Sequence, residues 1–228
     1  MDVPSTGYYV DVDALAPKHC RIWTRKFPAR AAQPNKNALP LVLIHGMASG
    51  LALWGMNLPG LTEERTVYAI DLPGFGRSSR DYLSSKPTEA EDQYVTAIDQ
   101  WREKQGLEKM CLTGHSFGGY LATAYALKYP ERVAHLILAD PWGMKVRPSH
   151  EELAKKYDLP WYLKAAVSVV KNFNPLATLR ASGPFGPGLV KRARPDLMRK
   201  FLPLFPNETV NIEVISNYIF HANVQTPA

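Results

Sequence analysis

Two stretches of the chain are apolar without alternation, Leu41-Val42-Leu43-Ile44 and Leu136-Ile137-Leu138-Ala139. Runs of this kind read as strands buried on both faces. With their flanks they predict strands over Pro40–His45 and Val133–Ala139. Four more strands are predicted at Tyr8–Val12, Arg21–Phe27, Thr66–Asp71 and Met110–Thr113. Helical spacing separates several of them. Tyr94, Ile98 and Trp101 recur at i, i+4, i+7 behind Thr88-Glu89-Ala90-Glu91, a capping-box signature. A second helix is predicted from about Ser116 to Lys128, ending before Pro130. Strands alternating with helices predict an α/β fold, a mostly parallel, doubly wound sheet with helices on both faces. After residue 140 the alternation stops. Loops rich in Pro and Gly there join two expected helices, Trp161–Lys171 and Thr209–His221.

Charge marks the same boundary. The chain of 228 residues has a net charge of +6. Residues 1–140 hold 15 basic and 15 acidic side chains, whereas residues 141–228 hold 12 basic and 6 acidic. Ten of the 19 prolines also fall after residue 140. The expected organisation is therefore 1–140 as the core and 141–228 as a basic insertion. Arg180, Lys191, Arg192, Arg194, Arg199 and Lys200 cluster there, opposed only by Asp196. Arginine forks bind phosphate oxygens in pairs, so this cluster is a candidate surface for a phospholipid headgroup or an anionic lipid interface. Trp161, Tyr162, Phe173 and Phe185 are candidates to face acyl chains. No nucleic-acid module is recognisable, so nucleic acid is not expected as a partner.

Other classes fall away on composition. No run approaches the ~18 apolar residues of a membrane span. The first 15 residues lack the basic and apolar regions of a secretory signal. Cys20 and Cys111 give neither a disulfide framework nor a zinc spacing, which fits a reducing, cytoplasmic compartment. No metal or cofactor is expected. The glycine-rich Asp71-Leu72-Pro73-Gly74-Phe75-Gly76-Arg77-Ser78 matches neither phosphate-binding fingerprint and reads as a turn bordering the active site.

The segment that carries chemistry is Gly114-His115-Ser116-Phe117-Gly118-Gly119, a G-x-S-x-G pattern between a strand and a helix. A serine attacks acyl carbon well when a sharp strand-to-helix turn holds its hydroxyl exposed, and glycines on both sides permit that turn. The helix start offers free N–H groups to developing negative charge. Ser116 is thus the candidate nucleophile. The backbone N–H groups of Met47, after His45-Gly46, and of Phe117 are the candidate oxyanion donors.

H-G-x, D-x-x-G-x-G-x-S and G-x-S-x-G in this order resemble the α/β-hydrolase fold family. Further segments narrow the resemblance: Gly74–Arg80, His135–Leu138 into Pro141-Trp142-Gly143, Asn174–Ala177, Gly183–Gly186, Arg194–Asp196 and Tyr218–Pro227. They resemble the subfamily of α/β-hydrolase domain-containing proteins 4 and 5. The resemblance implies a cap inserted over the active site by residues 141–228. One branch implies lysophospholipases acting on N-acyl phosphatidylethanolamine and its lyso form. The other implies a co-activator of a triacylglycerol lipase at lipid droplets, also assigned lysophosphatidic acid acyltransferase activity. In vertebrate members of that branch the nucleophile position carries Asn. Ser116 here favours hydrolysis, with acyl transfer and non-catalytic co-activation as alternatives. Some members carry a Trp-rich droplet-binding stretch upstream of the residues matched here.

The resemblance also predicts gaps. The family's seventh and eighth strands, its usual acid and its catalytic His have no counterpart in these residues, so this chain alone is expected to be inactive. Asp140, at the end of the sixth strand, is the candidate acid. His135 and Asp140 spell H-x-x-x-x-D, but in a strand they lie about 16 Å apart on opposite faces and are rejected as a site. The sixth strand is expected to form an apolar edge, with association as its consequence.

Overall fold

A computed structural model of the chain describes residues 3–14, 20–35, 37–80, 83–144, 179, 181–193, 195 and 211–224. It divides into two compact units, Met1–Trp142 with His221–Ala228, and Gly143–Phe220. The first is built on a six-stranded sheet: β1 Thr6–Val12, β2 Cys20–Phe27, β3 Leu41–Ile44, β4 Val67–Ile70, β5 Met110–His115 and β6 Val133–Ala139. The spatial order is β1-β2-β4-β3-β5-β6. β1 and β2 run antiparallel, while β4, β3, β5 and β6 are parallel to one another.

The parallel strands explain the sequence pattern. Leu41–Ile44 and Val67–Ile70 are buried at every position, as strands covered on both faces must be. Phe27, Leu43, Trp54, Leu58 and Val67 join one core cluster beside them. The register aligns Ile44 with Ile70 on one side and Gly114 on the other, and His115 with Ala139. The loops after β3, β4, β5 and β6 therefore leave from one end of the sheet. Ligands of open α/β sheets bind at that end.

The helices need two corrections. α1 is the single turn Leu58–Leu61, and α2 spans Pro87–Lys104 with Tyr94, Ile98 and Trp101 buried as the spacing predicted. The capping box does not form. Pro87 takes the first helical position, Lys86 is the N-cap, and no side chain caps it. Proline's fixed φ starts the helix one residue ahead of Thr88. α3 covers Phe117–Lys128. In the second unit, α4 covers Gly186–Ala193, and α5, Ile212–Val224, begins there in place of the helix expected from Thr209. The helix expected at Trp161–Lys171 lies outside the described residues.

β6 departs from its expected double burial. Leu136, Ile137 and Leu138 are 36%, 50% and 36% exposed, because β6 is the outermost strand of the described sheet. An apolar edge with open backbone groups templates pairing with another chain. The 228-residue chain is therefore expected to sediment as associated species at micromolar concentration, and Ile137→Lys to shift it toward monomer. A monomeric unsubstituted chain under those conditions would refute this.

Candidate active site

Ser116 stands between β5 and α3 with φ 52° and ψ −116°, a backbone conformation most residues avoid. The glycines around it make the turn fit. A Cβ on Gly114 would lie 2.2 Å from the Gly118 carbonyl oxygen. One on Gly118 would lie 2.4 Å from the His45 oxygen and 2.5 Å from that of Ile44. Helix and strands approach through backbone alone, which pulls the start of α3 against the end of β3.

Hydrogen bonds fix the elbow from the β6 side. Ser116 N–H donates to the Ala139 carbonyl at 3.1 Å, and Trp142 N–H donates to the Ser116 carbonyl at 2.9 Å. Phe117, Tyr120 and Trp142 pack as rings with centroids 6.0–6.3 Å apart. Tyr120 hydroxyl donates to Glu91 of α2.

The candidate oxyanion donors fall beside this turn. A Cβ on Gly46 would lie 3.1 Å from Ser116 Cβ, so the residue before Met47 abuts the candidate nucleophile. Phe117 opens α3, where N–H groups lack intrahelical acceptors. Among the described residues neither the Met47 nor the Phe117 amide is spent on a backbone acceptor.

His45 supports the loop rather than the chemistry. Leu72 N–H donates to its Nε2 at 2.9 Å, so that nitrogen carries no proton. Nδ1–H then donates to the Gly46 carbonyl at 2.7 Å. Burial pushes its pKa below the usual histidine range, against the opposing pull of Asp71.

Asp71 clamps two loops. Its carboxylate accepts Leu51 N–H at 2.7 Å and Arg77 N–H at 2.9 Å, and Ser78 hydroxyl donates to its carbonyl. Gly76 sits so close that a Cβ would overlap the carboxylate. Asp71→Ala is expected to lower stability by about 2–4 kcal/mol, two charge-assisted bonds at ~1.5–3 each with partial solvation of the donors. Asp71→Asn, which keeps one acceptor, should lose about half as much, read from urea unfolding midpoints at constant slope. Equal losses for the two substitutions would count against the clamp.

The remaining predicted residues divide. Asp140 is exposed, with φ 46°, directly after the Ala139 that bonds Ser116. His135 pairs with Cys111, four residues before His115, at the wrong end of the parallel strands. Lys191 and Arg192 are exposed on α4. Arg180, Arg194, Arg199, Lys200, Trp161, Tyr162 and Phe173 lie outside the described residues. Sequence reasoning missed Ala222 and Asn223. Gly76 N–H donates to the Ala222 carbonyl at 2.6 Å, and Asn223 Nδ2 donates to the Ala48 carbonyl at 3.0 Å. Nothing local in the sequence signals contacts across that separation. Among the described residues no group hydrogen-bonds the Ser116 hydroxyl.

A β-β-β-α-β-α-β-α-β order with an elbow serine between the fifth strand and its helix defines a hydrolase architecture. The family model described as alpha/beta hydrolase fold matches residues 40–208, and the chain belongs to that family. Two similar relatives carry more particular names. The chain is 46% identical over 212 residues to the (Lyso)-N-acylphosphatidylethanolamine lipase of Bos taurus, covering 93% of this chain and 59% of that protein. It is 48% identical over 208 residues to the Homo sapiens 1-acylglycerol-3-phosphate O-acyltransferase ABHD5, covering 91% and 56%. The match to the subfamily of α/β-hydrolase domain-containing proteins 4 and 5 follows. The chain thus spans less than two thirds of these relatives. Among solved structures, an esterase from Thermogutta terrifontis shares the fold, with TM-score 0.61 and 23% identity over 95% of this chain and 68% of that one. A membrane phospholipase A gives TM-score 0.59 and 22% identity over 96% and 58%. No helix among the described residues is long and apolar enough to cross a membrane.

Proposed function

We propose that this chain carries the nucleophile half of a serine hydrolase that cleaves acyl esters of phospholipids or lysophospholipids, N-acyl phosphatidylethanolamine types included. The strained elbow at Ser116, with the Met47 and Phe117 amides beside it, is the observation that carries the reading. The serine oxygen would attack the ester carbonyl carbon while its proton passes to a base. The two amides would hold the oxyanion, and collapse would expel the lipid alcohol and leave an acyl-enzyme for water to cleave. Residues 141–228 are read as the basic cap, with Lys191 and Arg192 among its headgroup-facing charges. Acyl transfer to a lipid alcohol would use the same acyl-enzyme, which the acyltransferase name of the second relative favours.

The base is the weak element. His45 has both ring nitrogens engaged, and His135 lies at the far end of its strand. The chain alone is therefore read as poorly active, with Asp140 the acid candidate beside the elbow. The test is fluorophosphonate labelling read by intact mass, with and without added imidazole, and with Ser116→Ala as control. Ser116-dependent labelling supports the hydrolase reading. A folded chain that stays unlabelled under both conditions would be a binding protein on a hydrolase fold, the lipase co-activator alternative.

A further inference from the structure

Two carbonyl groups flank Met47, the residue whose amide is proposed to meet the oxyanion, and a side chain holds each. His45 Nδ1–H donates to the Gly46 carbonyl at 2.7 Å. Gly46 C=O and Met47 N–H belong to one planar trans peptide and point in opposite directions, so fixing the first aims the second. Gly46 in turn abuts Ser116. On the other side, Asn223 Nδ2 donates to the Ala48 carbonyl at 3.0 Å, across 175 residues. Ala48 has φ 58°, in the left-handed region that alanine seldom occupies. A conformation of that kind persists where its surroundings impose it. Asn223 is fully buried, so its amide has no competing solvent partner at this contact.

Asn223 is itself fixed in place. The carbonyl just before it, that of Ala222, accepts Gly76 N–H at 2.6 Å and Arg80 Nη2 at 3.3 Å. Arg80 Nη1 also donates to the Gly74 carbonyl at 2.5 Å. The end of α5 is thus fastened to the loop after β4. That loop returns to the loop after β3 where Leu51 N–H meets the Asp71 carboxylate. Ala48 lies inside this ring of contacts. We propose that Asn223 is a positioning residue of the oxyanion hole, holding Ala48 in its left-handed conformation and so keeping the Met47 amide turned toward Ser116. It touches no reacting atom. Asparagine suits the task because its short amide donates to a carbonyl while staying neutral, whereas lysine or arginine would bring a charge into a fully buried place. The inference rests on the hydrolase reading for its chemistry, but the hold on Ala48 is a matter of structure alone.

The experiment uses the full 228-residue chain. Asn223→Leu removes the donor and keeps the branched shape, and Asn223→Ala, which cannot overfill the site, is run beside it. Fluorophosphonate labelling of Ser116 with imidazole present is expected to slow about 100-fold in each, the cost of losing or misplacing an oxyanion donor. Ala48→Gly added to either variant should restore about tenfold of that rate, because glycine takes positive φ without a side-chain hold. Ser216→Ala, which removes a hydroxyl bond to the Glu213 carbonyl in the same helix, should label like the parent. General loss of structure would slow all of these, and a glycine at 48 would not repair it. Amide exchange is read in parallel. Residues 46–51 should exchange several-fold faster in the Asn223 variants, while Leu41–Ile44 stays protected. A folded Asn223 variant that labels at the parent rate, or whose loop exchanges like the parent's, would overturn the proposal. Slow labelling that Ala48→Gly leaves unchanged would overturn it too. An unlabelled parent counts against the hydrolase reading instead, and exchange then decides the hold on Ala48 by itself.

Discussion

A fluorophosphonate probe is expected to modify this chain at Ser116 alone, about 100-fold to 10,000-fold more slowly than a serine hydrolase with its base in place. On the proposed reading, backbone geometry would supply half of the machinery. The positive φ of Ser116 sets it apart from the helix that follows, and among the described residues the amides of Met47 and Phe117, the proposed oxyanion donors, bond no backbone acceptor. One such donor is worth roughly 100-fold to 1,000-fold in acyl transfer, so reactivity should remain measurable. The half supplied by a base is not engaged, since nothing among the described residues bonds the Ser116 hydroxyl. Imidazole in solution should then speed labelling of the parent chain and leave Ser116→Ala unlabelled. Fast labelling that imidazole does not change would mean a base lies within these residues. His221 would then be the histidine to test, because it is exposed on α5 and its neighbours Ala222 and Asn223 bond the loops after β4 and β3. His221→Gln would have to abolish that labelling.

What could be read from the sequence is what local physics decides. β3 was legible because a strand covered on both faces needs an unbroken apolar run, and Leu41–Ile44 is buried as predicted. The elbow was legible because glycine at 114, 118 and 119 has one reason to surround a serine after a strand. The same logic failed at Leu136–Ala139. An apolar run reports what a strand would bury, and the neighbours decide whether it does. Thr88 and Glu91 had the spacing of a cap, but Pro87 had already begun the helix, and Glu91 accepts from Tyr120 instead. Asp71 read as part of a turn. Its reach to Leu51 depends on β3 and β4 being neighbours, which only topology reveals. Ala222 and Asn223 had no signal at all, since each meets its loop across more than a hundred residues.

Gly118→Ala is expected to be the most damaging single-methyl change in the chain, costing more than ~3 kcal/mol, above the usual range for overpacking. The added carbon would meet the carbonyl oxygens of His45 and Ile44 at 2.4 and 2.5 Å. Neither is a side chain that can rotate away. Ile44 ends a strand paired on both sides, with Ile70 and with Gly114, so relief must move the sheet or lift α3. Lifting α3 would carry Phe117 and Ser116 with it, and the elbow would lose its register with Gly46. The substitution should therefore remove Ser116 labelling, even where imidazole is supplied, and lower the unfolding midpoint. Gly114→Ala should behave alike, since its methyl would meet Gly118 oxygen at 2.2 Å. Gly60→Ala is the comparison, because nothing lies within 4 Å of a Cβ there. In α1 that change should be neutral or stabilising by about 0.5–1 kcal/mol. If Gly118→Ala unfolded at the same urea concentration as Gly60→Ala and still labelled, α3 would not be held on β3 by backbone contact. The amide of Phe117 would then owe its place beside Ser116 to something other than these glycines.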